Sequence, residues 1–213
     1  VINPYADERY KFLPKDFPLV FVGARSHDEK VCSIALDDEK VAYEATQHLI
    51  ALGHTNLAMI TGPMEEDCSQ DRTAGYQRAL QEASIPFDET MVIEGDWSAT
   101  SGQSALQSFV EDGRIPTAVF AQNDRMAMGV LRAARDANLQ IPSQLAVIGV
   151  DDMPLSSYFD PPLTTMRQDM PLIGQKATRM LLDIIQDKDT TIREVKLPAR
   201  LVVRQSTSGK GGD

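Results

Sequence analysis

The stretch LAVIGVDD, residues 145–152, decides the fold class of this chain. Its first six residues carry no polar side chain, and two aspartates follow them directly. Such a run predicts a strand that is buried on both faces, because a half-exposed strand would alternate apolar and polar residues. Strands of this kind lie between two layers of helices in α/β proteins. The stretch therefore predicts a parallel sheet that is covered on both sides.

The same pattern extends along the chain in both directions. Amphipathic helices separate the apolar runs; in one of them Val41, Ala45 and Leu49 recur at helical spacing, and Gly53 ends the helix. The segment 153–162 contains three prolines and predicts a loop. The alternation predicts an α/β, doubly wound fold. Its other strands are predicted at Pro18–Val22, Leu57–Ile60, Met91–Glu94, Ala118–Ala121, Leu163–Met166 and Val195–Arg204.

Composition and charge argue against several classes of protein. The 213 residues are 42% hydrophobic and 24% charged, as in an ordinary globular protein. No apolar run reaches the roughly 18 residues of a membrane span, and the first ten residues show no signal-peptide pattern. The net charge of −10 argues against binding of nucleic acid by this chain alone. Cys32 and Cys68 suit a reducing cytoplasm, although one bridge between them stays open.

The sequence lacks the motifs of common catalytic and cofactor sites. It contains no glycine-rich phosphate loop, no HExxH or CxxC metal motif and no GxSxG nucleophile elbow. His48 and His54 flank a helix end, where a structural role is the simpler interpretation. The acidic run at 65–67 is most simply a solvated loop. The sequence therefore predicts no cofactor, no metal and no enzymatic activity.

Polar side chains follow several predicted strands at their carboxyl ends, where α/β sheets bind ligands. Arg72, Trp97, Asn123 and Asp151 supply a guanidinium, an indole, an amide and a carboxylate. Hydroxyl pairs of a sugar accept and donate hydrogen bonds to such groups, and its apolar face packs on an indole. Each residue also has a structural interpretation: Asn123 as a helix cap, Asp151 as a turn cap, Trp97 as core and Arg72 as a surface ion pair.

At these residues the sequence resembles the effector-binding core of the LacI family of bacterial transcription regulators. The resemblance runs from about Pro18 to Thr207, with the motifs in order and at family-like spacing. The motifs are HLIALGH (48–54), ITGP (60–63), DRTAGYQRAL (71–80), EGDWSATSG (94–102), PTAVFAQNDRMAMG (116–129), IPSQLAVIGVDD (141–152), DPPLTTMRQD (160–169) and VVRQST (202–207).

The resemblance implies a periplasmic-binding-protein-like fold: two doubly wound parallel-sheet lobes with a ligand cleft, the N-terminal lobe being incomplete here. It places crossings between the lobes near Gly62-Pro63, near Gln168 and before Leu197. The implied division is residues 1–61 for the partial N-terminal lobe and 62–167 for the C-terminal lobe, then 168–195 back in the N-terminal lobe. Residues 196–207 form the last strand of the C-terminal lobe, and 208–213 a flexible tail. A strand stub at Val1-Ile2 is also expected.

The resemblance further implies that Arg72, Trp97, Asn123 and Asp151 face the effector, with Gln168 and Met170 as additional candidates. Trp97 resembles the sugar-responsive members, since purine-responsive members carry Phe there, whereas Met170 departs from the aromatic of the sugar-responsive members. The implied effector is therefore a small sugar.

The implied function is a cytoplasmic, dimeric regulator core, with operator DNA bound only through an N-terminal domain that has no counterpart here. Ala42, Tyr43 and the apolar positions of the helix at 71–83 are candidates for the dimer surface. An exported sugar-binding protein for transport or chemotaxis is the alternative, and an enzyme with a doubly wound sheet is a second one.

Overall fold

The computed structural model describes residues 12–14, 17–24, 31–186, 191 and 194–208. Two sheets organise these residues. The strands are β1 (Val20–Val22), β2 (Cys32–Leu36), β3 (Leu57–Thr61), β4 (Val92–Glu94), β5 (Ala118–Ala121), β6 (Ala146–Asp151), β7 (Thr164–Arg167), β8 (Glu194–Leu197) and β9 (Arg200–Val202). The helices are α1 (Asp38–Ala51), α2 (Asp67–Glu82), α3 (Ala99–Glu111), α4 (Asp124–Asp136) and α5 (Met170–Ile185).

The larger sheet has six strands in the order β4-β3-β5-β6-β7-β9. All neighbours are parallel except β9, which pairs antiparallel with β7. Strand β6 is buried along almost its whole length, as its apolar sequence predicts. Helices α3 and α4 pack through Phe109 and Met126 on one face, and α1 and α2 through Leu49 and Tyr76 on the other. The α/β, doubly wound prediction is confirmed.

The smaller sheet has three parallel strands in the order β1-β2-β8. Its core is small: Ile34 of β2 and Leu197 of β8 pack against Ile173 and Ala177 of α5. Helix α5 begins at Met170 because Asp169 caps it by accepting from the N–H of Leu172, and Pro171 stands in its first turn. One helix thus covers a sheet whose strands come from both ends of the described chain.

The lobe boundaries differ from those predicted. Strand β3 lies inside the larger sheet between β4 and β5, so residues 57–61 do not belong with the N-terminal lobe. The chain leaves the smaller sheet at Asp37, whose N–H still donates to the carbonyl of Leu197, and not near Gly62-Pro63. The physical reason is strand β2, CSIAL, whose serine and charged flanking residues hide it in the sequence. With β2 as the second strand of the smaller sheet, the strand at 57–61 belongs to the larger one.

The last crossing is also shifted by two residues. Residues 195–204 were predicted as one strand, but β8 ends at Leu197 in the smaller sheet and β9 begins at Arg200 in the larger one. Pro198 explains the break, since proline has no N–H to continue a ladder. Near Gln168, β7 ends at Arg167 in the larger sheet and α5 then packs on the smaller one. The stub at Val1-Ile2 and residues 209–213 lie outside the described residues.

Candidate functional site

Four strands of the larger sheet end side by side at its carboxyl edge. The ends belong to β3, β5, β6 and β7, which are neighbours in the order β3-β5-β6-β7. The residues at or just after these ends are Gly62, Gln122, Asp151 and Gln168. Because carboxyl ends of parallel strands meet at one edge, the side chains that follow them come together there.

Arg72 reaches this edge from the second turn of α2 and is buried. Its Nε and Nη2 atoms each lie 2.7 Å from Oδ1 of Asp38, at the start of α1. Its Nη1 atom donates to the backbone carbonyl of Gln122. Arg72 is therefore not a surface residue but the centre of a buried network that joins α1, α2 and the end of β5.

Trp97 stands over the guanidinium of Arg72, whose carbon lies 5.8 Å from the centroid of the indole ring. The indole covers the backbone of Gly62 so closely that a Cβ atom there would lie 2.0 Å from Cζ2 of Trp97. The backbone of Trp97 has a φ of +67°, which non-glycine residues seldom adopt. Only a glycine at 62 leaves room for this half-buried indole, which is thereby fixed beside the cation.

Asn123 orients Trp97 as well as capping a helix. Its Oδ1 accepts from the N–H of Met126, 2.7 Å away, and so caps α4. Its Nδ2 donates to the carbonyl of Trp97 over 3.1 Å. Both ends of the amide bind within the protein, so in this conformation Asn123 positions the indole.

Asp151 ends strand β6 with a φ of +121°, and Asp152 follows at +55°. The amide nitrogen of Gln168 donates to Oδ1 of Asp151 over 2.6 Å. Burial raises the pKa of the Asp151 carboxyl to about 6, although the nearby Arg72 acts in the opposite direction. This carboxylate thus lies close to a cation and changes its protonation near neutral pH.

The loop after Asp151 is anchored by its neighbours. Asp152 pairs with Arg204, whose Nη2 lies 2.7 Å from Oδ1, and with Arg167 at the end of β7. The buried carboxylate of Asp124 accepts hydrogen bonds from the N–H of Met153 and the hydroxyl of Ser156. These contacts hold the strained turn at 151–152 in one conformation.

The sequence and the fold are both similar to those of known proteins. Residues 46–207, about three quarters of the chain, match the model of a family described as a periplasmic binding protein-like domain.

This chain belongs to the periplasmic binding protein-like domain family.

Several transcription regulators are similar to this chain over most of its length. It is 35% identical over 191 residues to the HTH-type transcriptional repressor PurR of Vibrio atlanticus, covering 90% of this chain and 57% of that protein. A complex of the transcriptional regulator CelR with cellobiose superposes with a TM-score of 0.84 at 33% identity, over 88% of this chain and 58% of that one. A Lac repressor dimer bound to operator and the anti-inducer ONPF gives a TM-score of 0.84 at 33% identity, over 91% and 57%. The resemblance to the effector-binding core of LacI-family regulators is confirmed, and the chain spans a little under three fifths of these relatives' length.

Within this periplasmic-binding-protein-like chain, the structure brings five of the six predicted site residues to one edge. Arg72 lies beside Trp97, Asn123 holds Trp97, and Gln168 binds Asp151. Met170 is the first residue of α5, and its side chain is largely exposed.

A cavity of about 460 Å³ lies elsewhere, near the end of α4, lined among others by Leu131, Arg135 and Leu139. None of the predicted site residues lines this cavity. The carboxyl edge is therefore the candidate site because of the polar and aromatic groups that meet there, and not because of a cavity.

Two residues of the network were missed by sequence reasoning. Asp38 is an acidic residue in the first turn of α1, where such residues usually serve the helix dipole, so its residue type alone did not indicate a site. Gln122 was passed over although it stands directly before Asn123; its Oε1 accepts from the N–H of Gly62 over 3.0 Å. Its position immediately after an apolar strand was the signal that could have found it.

The other candidate sites have structural explanations. His48 and His54 each contact a threonine hydroxyl, at 2.9 Å and 3.1 Å, and burial lowers the pKa of both. Cys32 and Cys68 are both free thiols. Among the described residues no group of His, Cys, Asp or Glu is arranged to hold a metal ion. No helix in the same part of the chain has the length and apolarity needed to cross a membrane.

Proposed function

We propose that this chain is the effector-binding core of a LacI-type transcriptional regulator and that its effector is a small sugar. One observation carries the proposal: a guanidinium, an indole face, a carboxylate and an amide lie together at the carboxyl edge of a doubly wound sheet. These groups suit a polyol with an apolar ring face. The similarity to a regulator solved with cellobiose supports the same class of ligand.

The proposed mechanism couples the ligand to the position of the smaller sheet. Asp151 would accept hydrogen bonds from two sugar hydroxyls while Trp97 packs on the ring. Gln168 already binds Asp151 and lies on the segment that leads from β7 to α5. A sugar that binds Asp151 and Gln168 together would therefore bias how α5 and the smaller sheet sit against the larger one, and such a bias is what an allosteric effector requires.

Operator binding belongs, in this proposal, to an N-terminal domain outside the present sequence. Similarity to a Lac repressor solved on its operator supports a DNA-binding partner segment, and the net charge of −10 argues against DNA contact by these 213 residues. The core acts by binding, without catalysis, in the cytoplasm. The alternative of an exported transport protein is disfavoured because the relatives are transcription regulators.

The experiment that tests the sugar site is a thermal-shift screen with neutral mono- and disaccharides, followed by calorimetry on the best one. Asp151→Ala is expected to weaken binding at least tenfold, since each hydrogen bond to a charged group contributes about 1.5–3 kcal/mol. Asp112→Ala is the matched control, because this carboxylate is exposed and pairs with Arg114 at the surface. Equal affinities for the wild type and Asp151→Ala would remove Asp151 from the site.

We also propose that the core forms a homodimer through an exposed apolar surface on α4 and the segment between β6 and β7. Met128 and Phe159 line one shallow hollow there, and Leu155 and Tyr158 are 61% and 83% exposed. Of the residues named from the sequence, Ala42 is fully buried and the apolar side of α2 packs in the core, whereas Tyr43 is half-buried. Similarity to a Lac repressor dimer favours a second copy of this chain as the occupant.

A further inference from the structure

Asp38 is the one carboxylate in direct contact with the cation of the proposed site, among the contacts the structure describes. It is buried, and a single oxygen, Oδ1, takes both Nε and Nη2 of Arg72 at 2.7 Å. Gln122 occupies Nη1. Of the five N–H donors of an arginine, three therefore have partners inside the protein.

The occupied donors include one of the two edges with which an arginine binds anions, the Nε–Nη2 edge. A guanidinium recognises phosphate or carboxylate by presenting two parallel N–H groups, and Asp38 fills the Nε–Nη2 pair. A phosphorylated or carboxylated ligand would have to displace a buried carboxylate to gain the same contact. A hydroxyl group needs only one of the N–H donors that remain.

The charges near Arg72 point the same way. Asp38 and Asp151 both act electrostatically on Arg72, so one cation faces two carboxyl groups. A buried anion needs a compensating positive charge, and this cluster has no cation to spare. An uncharged polyol needs no such compensation and can still accept from Arg72 and donate to Asp151.

We propose that Asp38 determines the charge selectivity of the cleft: by holding Arg72 in an internal ion pair, it makes the site accept uncharged sugars and reject sugar phosphates and sugar acids. This inference rests on the proposed sugar site. Asp38 is fixed for this role by its place at the first residue of α1, where Asp37 caps the helix and the chain has just left the smaller sheet. Asp38 does not itself need to touch the sugar, and it acts through Arg72 as a positioning residue.

The test compares inorganic phosphate and glucose 6-phosphate with neutral sugars on the 213-residue chain. In Asp38→Asn the amide oxygen can still accept from Arg72, but one negative charge is removed. We expect this variant to bind phosphate and glucose 6-phosphate at least about tenfold more tightly than the wild type in calorimetry at about pH 7.5. Glu44→Gln on the same helix is the matched control, since it removes one charge from an exposed side chain and should leave anion binding unchanged.

A double variant shows where the anion binds. Asp38→Asn combined with Arg72→Gln should lose the gained phosphate affinity, because the freed cation is then gone. If the gain persists in the double variant, or equals the effect of Glu44→Gln, the proposal is wrong. Should Asp38→Asn not fold, as judged by circular dichroism, Asp38→Ser carries the same expectation.

Binding measurements on the wild type test the proposal independently of the variants. Binding of phosphate or glucose 6-phosphate by the wild type as tightly as by Asp38→Asn would overturn the selectivity proposal, even if neutral sugars bind well. Failure of every neutral sugar to bind the wild type would instead overturn the proposed function. In that case a gain of phosphate binding in Asp38→Asn would still support the inference that Asp38 keeps Arg72 from binding anions.

Discussion

Replacing Asp151 with asparagine is expected to stabilise the folded chain at neutral pH while weakening the proposed sugar site. The substitution keeps the shape of the side chain and leaves an oxygen to accept from Gln168, which now binds Oδ1 over 2.6 Å. What it removes is a carboxylate that burial disfavours. If Asp151 serves binding at the expense of stability, its replacement should raise the free energy of unfolding and lower the sugar affinity. Replacement of a purely structural carboxylate should not raise the free energy of unfolding.

The magnitude follows from the pKa of Asp151. Burial raises this pKa to about 6 from the ordinary value of 3.8, with Arg72 opposing the rise. Between these values the folded chain keeps a proton that the unfolded chain has released, so the free energy of unfolding falls as the pH rises from about 4 to about 6. Above about pH 6 the full effect is about 3 kcal/mol. Because the side chain is only partly buried and water screens it, we expect Asp151→Asn to gain about 1–3 kcal/mol.

Urea unfolding of both proteins at about pH 7.5 and about pH 4 measures this gain. The gain should be present at the higher pH and nearly absent at the lower one, where Asp151 is protonated in the folded wild type. Glu111→Gln, an exposed carboxylate at the end of α3, should change the free energy of unfolding by less than about 0.5 kcal/mol at both values. Destabilisation by Asp151→Asn at neutral pH, or a gain independent of pH, would refute the reasoning.

Three further predictions concern other contacts. Gly62→Ala should displace Trp97, because the new Cβ would lie 2.0 Å from the indole; calorimetry should show weaker sugar binding, and the emission of Trp97, the one tryptophan of the chain, should shift. Asp124→Ala should lower the free energy of unfolding by about 2–4 kcal/mol in urea titrations, because it leaves the N–H of Met153 and two buried hydroxyls without their acceptor. Tyr158→Asp should weaken the proposed dimer in analytical ultracentrifugation while circular dichroism stays unchanged; a dimer of undiminished strength would exclude this surface.

The larger sheet could be predicted from the sequence because its strands are apolar on both faces. The runs at 118–121 and 145–150 have no polar member and alternate with amphipathic helices, which is a signal that local sequence carries. Strand β2 carried a weaker signal, since CSIAL contains a serine and follows a charged segment. Its neighbour β8 comes from a distant part of the chain, and that pairing has no local trace in the sequence.

The sequence indicated which residues meet at the carboxyl edge better than it indicated their contacts. Residue type, together with the position of Asp151 after a strand and of Arg72 early in a helix, pointed to these two residues. The partner of Arg72 could not be inferred, because Asp38 lies 34 residues away on a different helix and reaches it only once α1 packs on α2. Sequence could not decide whether Asn123 faces a ligand or caps a helix, since both roles favour the same residue type. In the structure it caps α4 and holds Trp97.

The pairing of β2 with β8 has a consequence for the order in which the two sheets form. Five strands of the larger sheet come from the continuous run 57–167, so their pairings close loops of at most about 60 residues. The pairing of Ser33 with Glu194 instead closes a loop of about 160 residues, which slows its formation. We therefore expect the smaller sheet to form last, because β2 pairs with β8 only after the larger sheet has formed. Pulsed hydrogen exchange during refolding should protect the amides of β5 and β6 before those of β2, and simultaneous protection would contradict this order.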